Sequence, residues 1–151
     1  MSKAIRIHTN GGPEVMVWED VPTPEPGPGE ALIKHAAIGL NFIDVYFRTG
    51  LYKAPGLPLI IGQEGAGTVT AVGTGVTNVA VGDRVAYAGP LGGYATDRVI
   101  AADRLVKLPD GISFEIGAAM MLQGMTAQYL IRRTYAVKPG DTIVVHAAAG
   151  G

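Results

Sequence analysis

The sequence predicts a mainly β body followed by the opening of an α/β unit, on three observations. Up to about residue 110, short runs that alternate polar and apolar residues are separated by turn-forming clusters. The 22 glycines and 10 prolines among 151 residues supply many turns between those short strands. Beyond residue 110 the period changes: apolar residues recur at helical spacing, and a turn then leads into an apolar run and a glycine pair.

Residues 3–8 (KAIRIH) alternate as a half-buried strand does, and residues 10–13 (NGGP) form a turn by chemistry. Residues 15–21 (VMVWEDV) predict a second strand. The next eight residues, PTPEPGPG, hold four prolines, which remove donors and force extended backbone, so they form a connector. Residues 30–38 (EALIKHAAI) predict a strand. In residues 41–49 (NFIDVYFRT), Phe42, Val45 and Tyr46 share a helical face, with Gly50 placed as a C-terminal cap. Strands are predicted again at 66–72, 83–88, 94–101 and 105–108.

Ser113 then reads as an N-cap with Glu115 in the first turn. Ile116, Met120, Met121, Met125, Tyr129 and Leu130 give residues 114–133 a helical period. Residues 138–141 (KPGD) form a turn, 142–146 (TIVVH) a short strand, and the run ends in Gly150 and Gly151. Helix, turn, apolar strand and glycine pair together match the opening of a βαβ nucleotide-binding unit.

Composition excludes several functional classes. The net charge of −1 comes from twelve basic and thirteen acidic residues that are scattered, so strong nucleic-acid binding is not expected. With no cysteine, the chain has neither disulfides nor a thiolate metal site, and it fits a reducing cytoplasm. No apolar run resembles a signal peptide or reaches membrane-spanning length, so no membrane partner is expected.

Three ordered motifs carry a more specific signal: residues 41–52 (NFIDVYFRTGLY), residues 62–85 (GQEGAGTVTAVGTGVTNVAVGDRV), and MMLQGMTAQYL (120–130) followed by VVHAAAGG (144–151). Together they resemble the medium-chain dehydrogenase/reductase superfamily, and within it the zinc-independent quinone oxidoreductases, the branch that contains zeta-crystallin. The resemblance implies a GroES-like catalytic domain over 1–110 and the start of an NAD(P)-binding Rossmann domain over 111–151. Subunits of that family are about twice as long, so the 151 residues by themselves are expected to lack a complete cofactor site and activity. A homodimer is the assembly that the resemblance implies for the longer protein.

Zinc enzymes of that superfamily place a cysteine at the position of Asn41 and a histidine at the position of Gln63. Neutral amide oxygens are poor partners for a borderline-soft cation, so no metal is expected here. What the resemblance leaves is hydride transfer from NADPH to a quinone, with hydrogen-bond donors stabilising the phenolate-like oxygen that forms. Asn41, Tyr46, Tyr52 and Gln63 are the implied catalytic residues. Asn41, Tyr52, Thr126, Gly150 and Gly151 are the implied cofactor-binding residues, the two glycines beginning the phosphate turn. Enoyl-thioester reduction is an alternative within the superfamily, and a non-enzymatic crystallin-like or RNA-binding module is another.

Each of these residues also has a structural reading. Asn41 caps the helix that follows it. Tyr46 and Tyr52 pack as ordinary core aromatics, and Gln63 and Glu64 form a hydrogen-bonding corner. Asp44 reads as a structural acid, and His8, His35 and His146 fall on separate strands. The methionines read as helix packing.

Overall fold

The N-terminal alternation folds into an antiparallel ladder. In the computed structural model, which describes residues 1–146, β1 (Ser2–Ile7) pairs with β2 (Met16–Val21), Ser2 facing Val21 and Ile7 facing Met16. Val15 belongs instead to a 3-10 turn, Pro13–Val15, in which Pro13 presets the helical φ. A two-residue strand that the alternation did not reveal, β4 (Leu59–Ile60), lies on the other side of β1, giving the order β2-β1-β4.

The second sheet is built from β3 (Glu30–Ile38), β5 (Glu64–Val72), β6 (Arg84–Ala88), β7 (Asp97–Ala101) and β8 (Val106–Lys107). Its order is β7-β3-β5-β6-β8, antiparallel throughout. The segment ahead of β7 was predicted as strand from residue 94. It stitches the two sheets together instead: Ile5 N–H donates to the Tyr94 carbonyl and Thr96 N–H to the Lys3 carbonyl, both at 2.8 Å. Alternate residues of β3, β5 and β6 point inward, so Ile33, Val69, Val85 and Tyr87 meet Val79, Ile100 and Leu105 in one apolar core.

β3 and β5 lie so close that no side chain fits at Gly67, where a Cβ would run into the carbonyl oxygen of Lys34. At the other end of the GQEG turn, Gly62 takes φ 90°, and the Tyr94 ring fills the space in which its Cβ would stand.

Between β3 and β4 runs α1 (Phe42–Thr49), capped by Asn41 and ended by Gly50 in the left-handed conformation. After β8, Ser113 Oγ accepts the Ile116 N–H and starts α2 (Phe114–Gln128), which passes into a π-helical turn, Tyr129–Thr134. α2 lies on the face of β5 and β6 through Ala118 and Met121, which pack on Ala66, Ala86 and Ala88.

Two expectations change at this end of the chain. Only one of the three methionines packs: Met121 is buried with Gly117 and Ala118, while Met120 and Met125 stay about half exposed, as do Ile116, Tyr129 and Leu130. α2 carries no single apolar stripe, and contact with the sheet selects Gly117, Ala118 and Met121 from its apolar residues. Residues 142–146 do not form the predicted strand. An apolar parallel strand needs neighbours to take its N–H and C=O groups, and among the described residues none pairs with it. Ile143, Val144 and Val145 are exposed. The turn before them is present, closed by Lys138 N–H donating to Asp141 Oδ2 at 2.8 Å.

Candidate functional site

Asn41 stands where β3 ends and α1 begins, and it is buried. It occupies the N-cap, and Asp44, at N3, accepts its backbone N–H on Oδ2 at 2.9 Å. The Asn41 side chain joins two further elements. Its Nδ2 donates to Glu64 Oε2 at the start of β5 at 2.9 Å, and its Oδ1 accepts from Gln123 Nε2 on α2 at 2.7 Å. Glu64, 1% exposed, takes on its other oxygen the backbone N–H of Leu122 at 2.7 Å, a donor from the interior of α2. The bend of GQEG thus delivers a carboxylate inward, where it ties helix α2 to the Asn41 amide.

Asp44 is equally buried and lies between Asn41 and Tyr94, whose Oη donates to Asp44 Oδ2 at 3.0 Å. Burial raises the Asp44 pKa, and the hydrogen bonds from Asn41 and Tyr94 partly offset that shift. The second oxygen, Oδ1, is buried with no protein partner.

Tyr46 and Tyr52 form a separate aromatic corner at the C-terminal end of α1. Their rings meet edge to face with centroids 5.3 Å apart, and Phe47 closes on Tyr52 at 5.7 Å. The Tyr52 backbone N–H is held by the Tyr46 carbonyl at 3.0 Å, while its side chain stays 46% exposed. Tyr52 also borders a recess of about 350 Å³ lined by Asn10, Gly50, Lys53, Ala54, Gly56 and Leu57.

Of the other predicted site residues, Gln63 is partly buried between Gly62 and Glu64, and its carbonyl accepts the Gly89 N–H at 2.8 Å. Thr126 lies one turn beyond Gln123, exposed, with its hydroxyl turned back to the Leu122 carbonyl at 2.8 Å. Gly150 and Gly151 lie outside the described residues. The structure therefore brings Asn41 to the residue after Gln63 and Tyr46 to Tyr52.

Sequence reasoning passed over Gln123, Tyr94 and the inward role of Glu64. The one available signal was an acidic residue opening a strand of small and apolar residues, EGAGTVTAV, where burial demands donors from elsewhere in the fold.

Metal-ligating chemistry is poorly served here. Among the described residues no cluster of three or more His, Asp or Glu could hold a metal ion, and the amides at Asn41 and Gln63 are weak ligands for zinc. No helix among the described residues is long and apolar enough to cross a membrane.

A β body with a GQEG bend, an amide at the helix cap and a helix seated behind it defines a GroES-like catalytic domain of the dehydrogenase type. Residues 27–110 match the family described as the alcohol dehydrogenase GroES-like domain, and the chain belongs to that family.

Over its whole length the chain is 58% identical to a quinone oxidoreductase of Pseudomonas aeruginosa, of which it covers 47%. Among solved structures it is similar to the quinone oxidoreductase of Pseudomonas syringae, with a TM-score of 0.89 and 55% identity over 93% of this chain and 44% of that one. The Escherichia coli quinone oxidoreductase complexed with NADPH gives a TM-score of 0.88 and 45% identity over 92% of this chain and 43% of that one. The chain spans about half the length of the curated relatives that it matches.

Proposed function

We propose that the protein carrying this chain is a zinc-independent NADPH:quinone oxidoreductase. In this reading residues 1–110 form the catalytic body and α2 begins the cofactor half. The observation that carries it is the Asn41 amide, fixed between Glu64 and Gln123, in a chain 58% identical to a quinone oxidoreductase.

The residues present fit a nicotinamide cofactor. Asn41 Nδ2 has two N–H groups and gives one to Glu64. Tyr52 offers a half-exposed ring beside a recess that includes Lys53. Bound NADPH supplies a hydride. In this reading Asn41 and Gln63 provide neutral N–H donors for the oxygen that gains charge, and the Tyr46 and Tyr52 hydroxyls are the proposed further donors. An electron-poor carbonyl needs no Lewis acid to accept hydride, which matches a donor set made of amides and phenols. Thr126 and the glycines at 150 and 151 complete the proposed cofactor-binding set.

The test is NADPH oxidation by the full-length gene product with a simple 1,4-benzoquinone against an enoyl thioester. Quinone-dependent turnover at least about tenfold above thioester turnover supports the assignment. Thioester turnover in excess moves it to carbon–carbon double-bond reduction. No turnover with either removes it.

A further inference from the structure

Resting on the quinone reductase reading, the geometry points to Glu64 and Gln123 as positioning residues that fix which way round the Asn41 amide stands.

The Leu122 backbone N–H can only donate, and it meets Glu64 Oε1 at 2.7 Å. Glu64 Oε2 lies 2.9 Å from Asn41, and a carboxylate oxygen only accepts. The Asn41 atom facing it must therefore be Nδ2, which turns Oδ1 toward Gln123. Gln123 must in turn present Nε2, and its Oε1 is left buried without a protein partner. A single carboxylate thus sets the direction of two consecutive hydrogen bonds, Asn41 to Glu64 and Gln123 to Asn41. The consequence for the site is that the polar atom which Asn41 has left to offer is an N–H, the kind of group a developing oxyanion needs. An isolated cap asparagine has no such constraint, because its amide can flip.

The same logic says how to reverse the chain of bonds without removing any of them. In Glu64→Gln, the side-chain oxygen still accepts the Leu122 N–H, and the new NH2 faces Asn41. Asn41 satisfies it by flipping Oδ1 toward position 64, and Gln123 flips to accept from Nδ2. All three bonds survive, the two made by Asn41 with opposite polarity and the Leu122 bond unchanged, and Asn41 no longer presents its N–H in the original place. Gln123→Glu on the native background behaves differently. It sets two acceptor-only groups on either side of one amide, and only one of them can be served well. Combining it with Glu64→Gln gives a fully satisfied reversed chain.

The experiment uses the full-length protein in four forms: native, Glu64→Gln, Gln123→Glu and the double variant. Thermal unfolding without cofactor and steady-state quinone kinetics are measured on each. We expect Glu64→Gln to stay folded, with its melting temperature near the native value and kcat lowered at least about tenfold. Gln123→Glu should lose several degrees, and the double variant should recover most of that loss while its kcat stays low. Additive effects of the two substitutions on melting temperature would overturn the inference, because a shared amide requires coupling. Native kcat in Glu64→Gln would overturn it as well. An inactive native protein with the stability coupling intact would defeat the quinone reductase reading and leave the amide orientation standing.

Discussion

Tyr94 Oη donates to Asp44 Oδ2 across 3.0 Å, joining the segment that stitches the two sheets to the first turn of α1. The same Tyr94 ring fills the space beside Gly62, so one side chain braces both the GQEG bend and the acid under Asn41. Tyr94→Phe keeps the ring and deletes the donor at a buried carboxylate. Urea unfolding should show a loss of about 1.5–3 kcal/mol, the range for a hydrogen bond to a charged group. A change within error would mean that Asp44 does not depend on Tyr94.

Gly67 separates packing from flexibility. Gly67→Ala drives a methyl into the β3 backbone at Lys34 and His35, and it should cost about 2–3 kcal/mol in unfolding free energy. Gly111→Ala is the control, since nothing lies within 4 Å of the added carbon, and it should shift stability by less than about 0.5 kcal/mol. Equal effects at the two positions would contradict the close β3–β5 approach.

Much of the sheet structure was legible because it follows from local rules. The alternation of β3, the proline-rich connector ahead of it, the Gly50 cap and the Ser113 cap each need only a few neighbouring residues. What was not legible depends on distant partners. β4 is two residues long and exists because β1 offers a free edge to it. Residues 142–146 carry strand propensity with no ladder to join, and α2 is apolar on too many sides for its packing face to be read. The site divides in the same way. Asn41 and Gln63 stood out by motif, whereas Gln123 is 82 residues from Asn41 along the chain and is placed by the fold alone.

His35 gives the fold a signed pH response. Its Nδ1 lies 2.6 Å from the Ala95 carbonyl, which only accepts, so Nδ1 holds the proton and Nε2 accepts from Tyr87 Oη at 2.7 Å. Burial pushes the imidazole down from 6.5 to about 4, with the Ala95 hydrogen bond opposing and Arg98 and Asp97 acting in opposite senses. The folded state thus binds this proton less readily than the unfolded chain does. Stability contributed here should fall as pH drops below about 6.5 and level off below about 4. Asp44, raised by burial, has the opposite sign: the folded state holds its proton more tightly, so its contribution falls as pH rises through the carboxylate range. Unfolding free energies from pH 4 to 7 should therefore show a shallower acid decline in His35→Gln than in the native protein. Identical slopes would show that His35 is not held neutral.

Tyr52 tests the aromatic corner. In the full-length protein, Tyr52→Ala should weaken NADPH affinity or quinone turnover at least about tenfold, equivalent to about 1.4 kcal/mol. Its half-exposed ring makes a global stability loss an unsuitable explanation for such an effect. Kinetic and binding constants within about twofold of native, in a folded variant, would remove Tyr52 from the site.

The central claim is metal-independent hydride transfer to a quinone at a site organised by the Asn41 amide. Its most direct test is the rate of quinone-dependent NADPH oxidation by the full-length protein after exhaustive chelation, with zinc content verified by elemental analysis. The account predicts an unchanged kcat in protein holding no stoichiometric zinc, because amides at Asn41 and Gln63 hold no zinc and the oxyanion is met by N–H donors. A rate that disappears on chelation and returns when zinc is added back would contradict it.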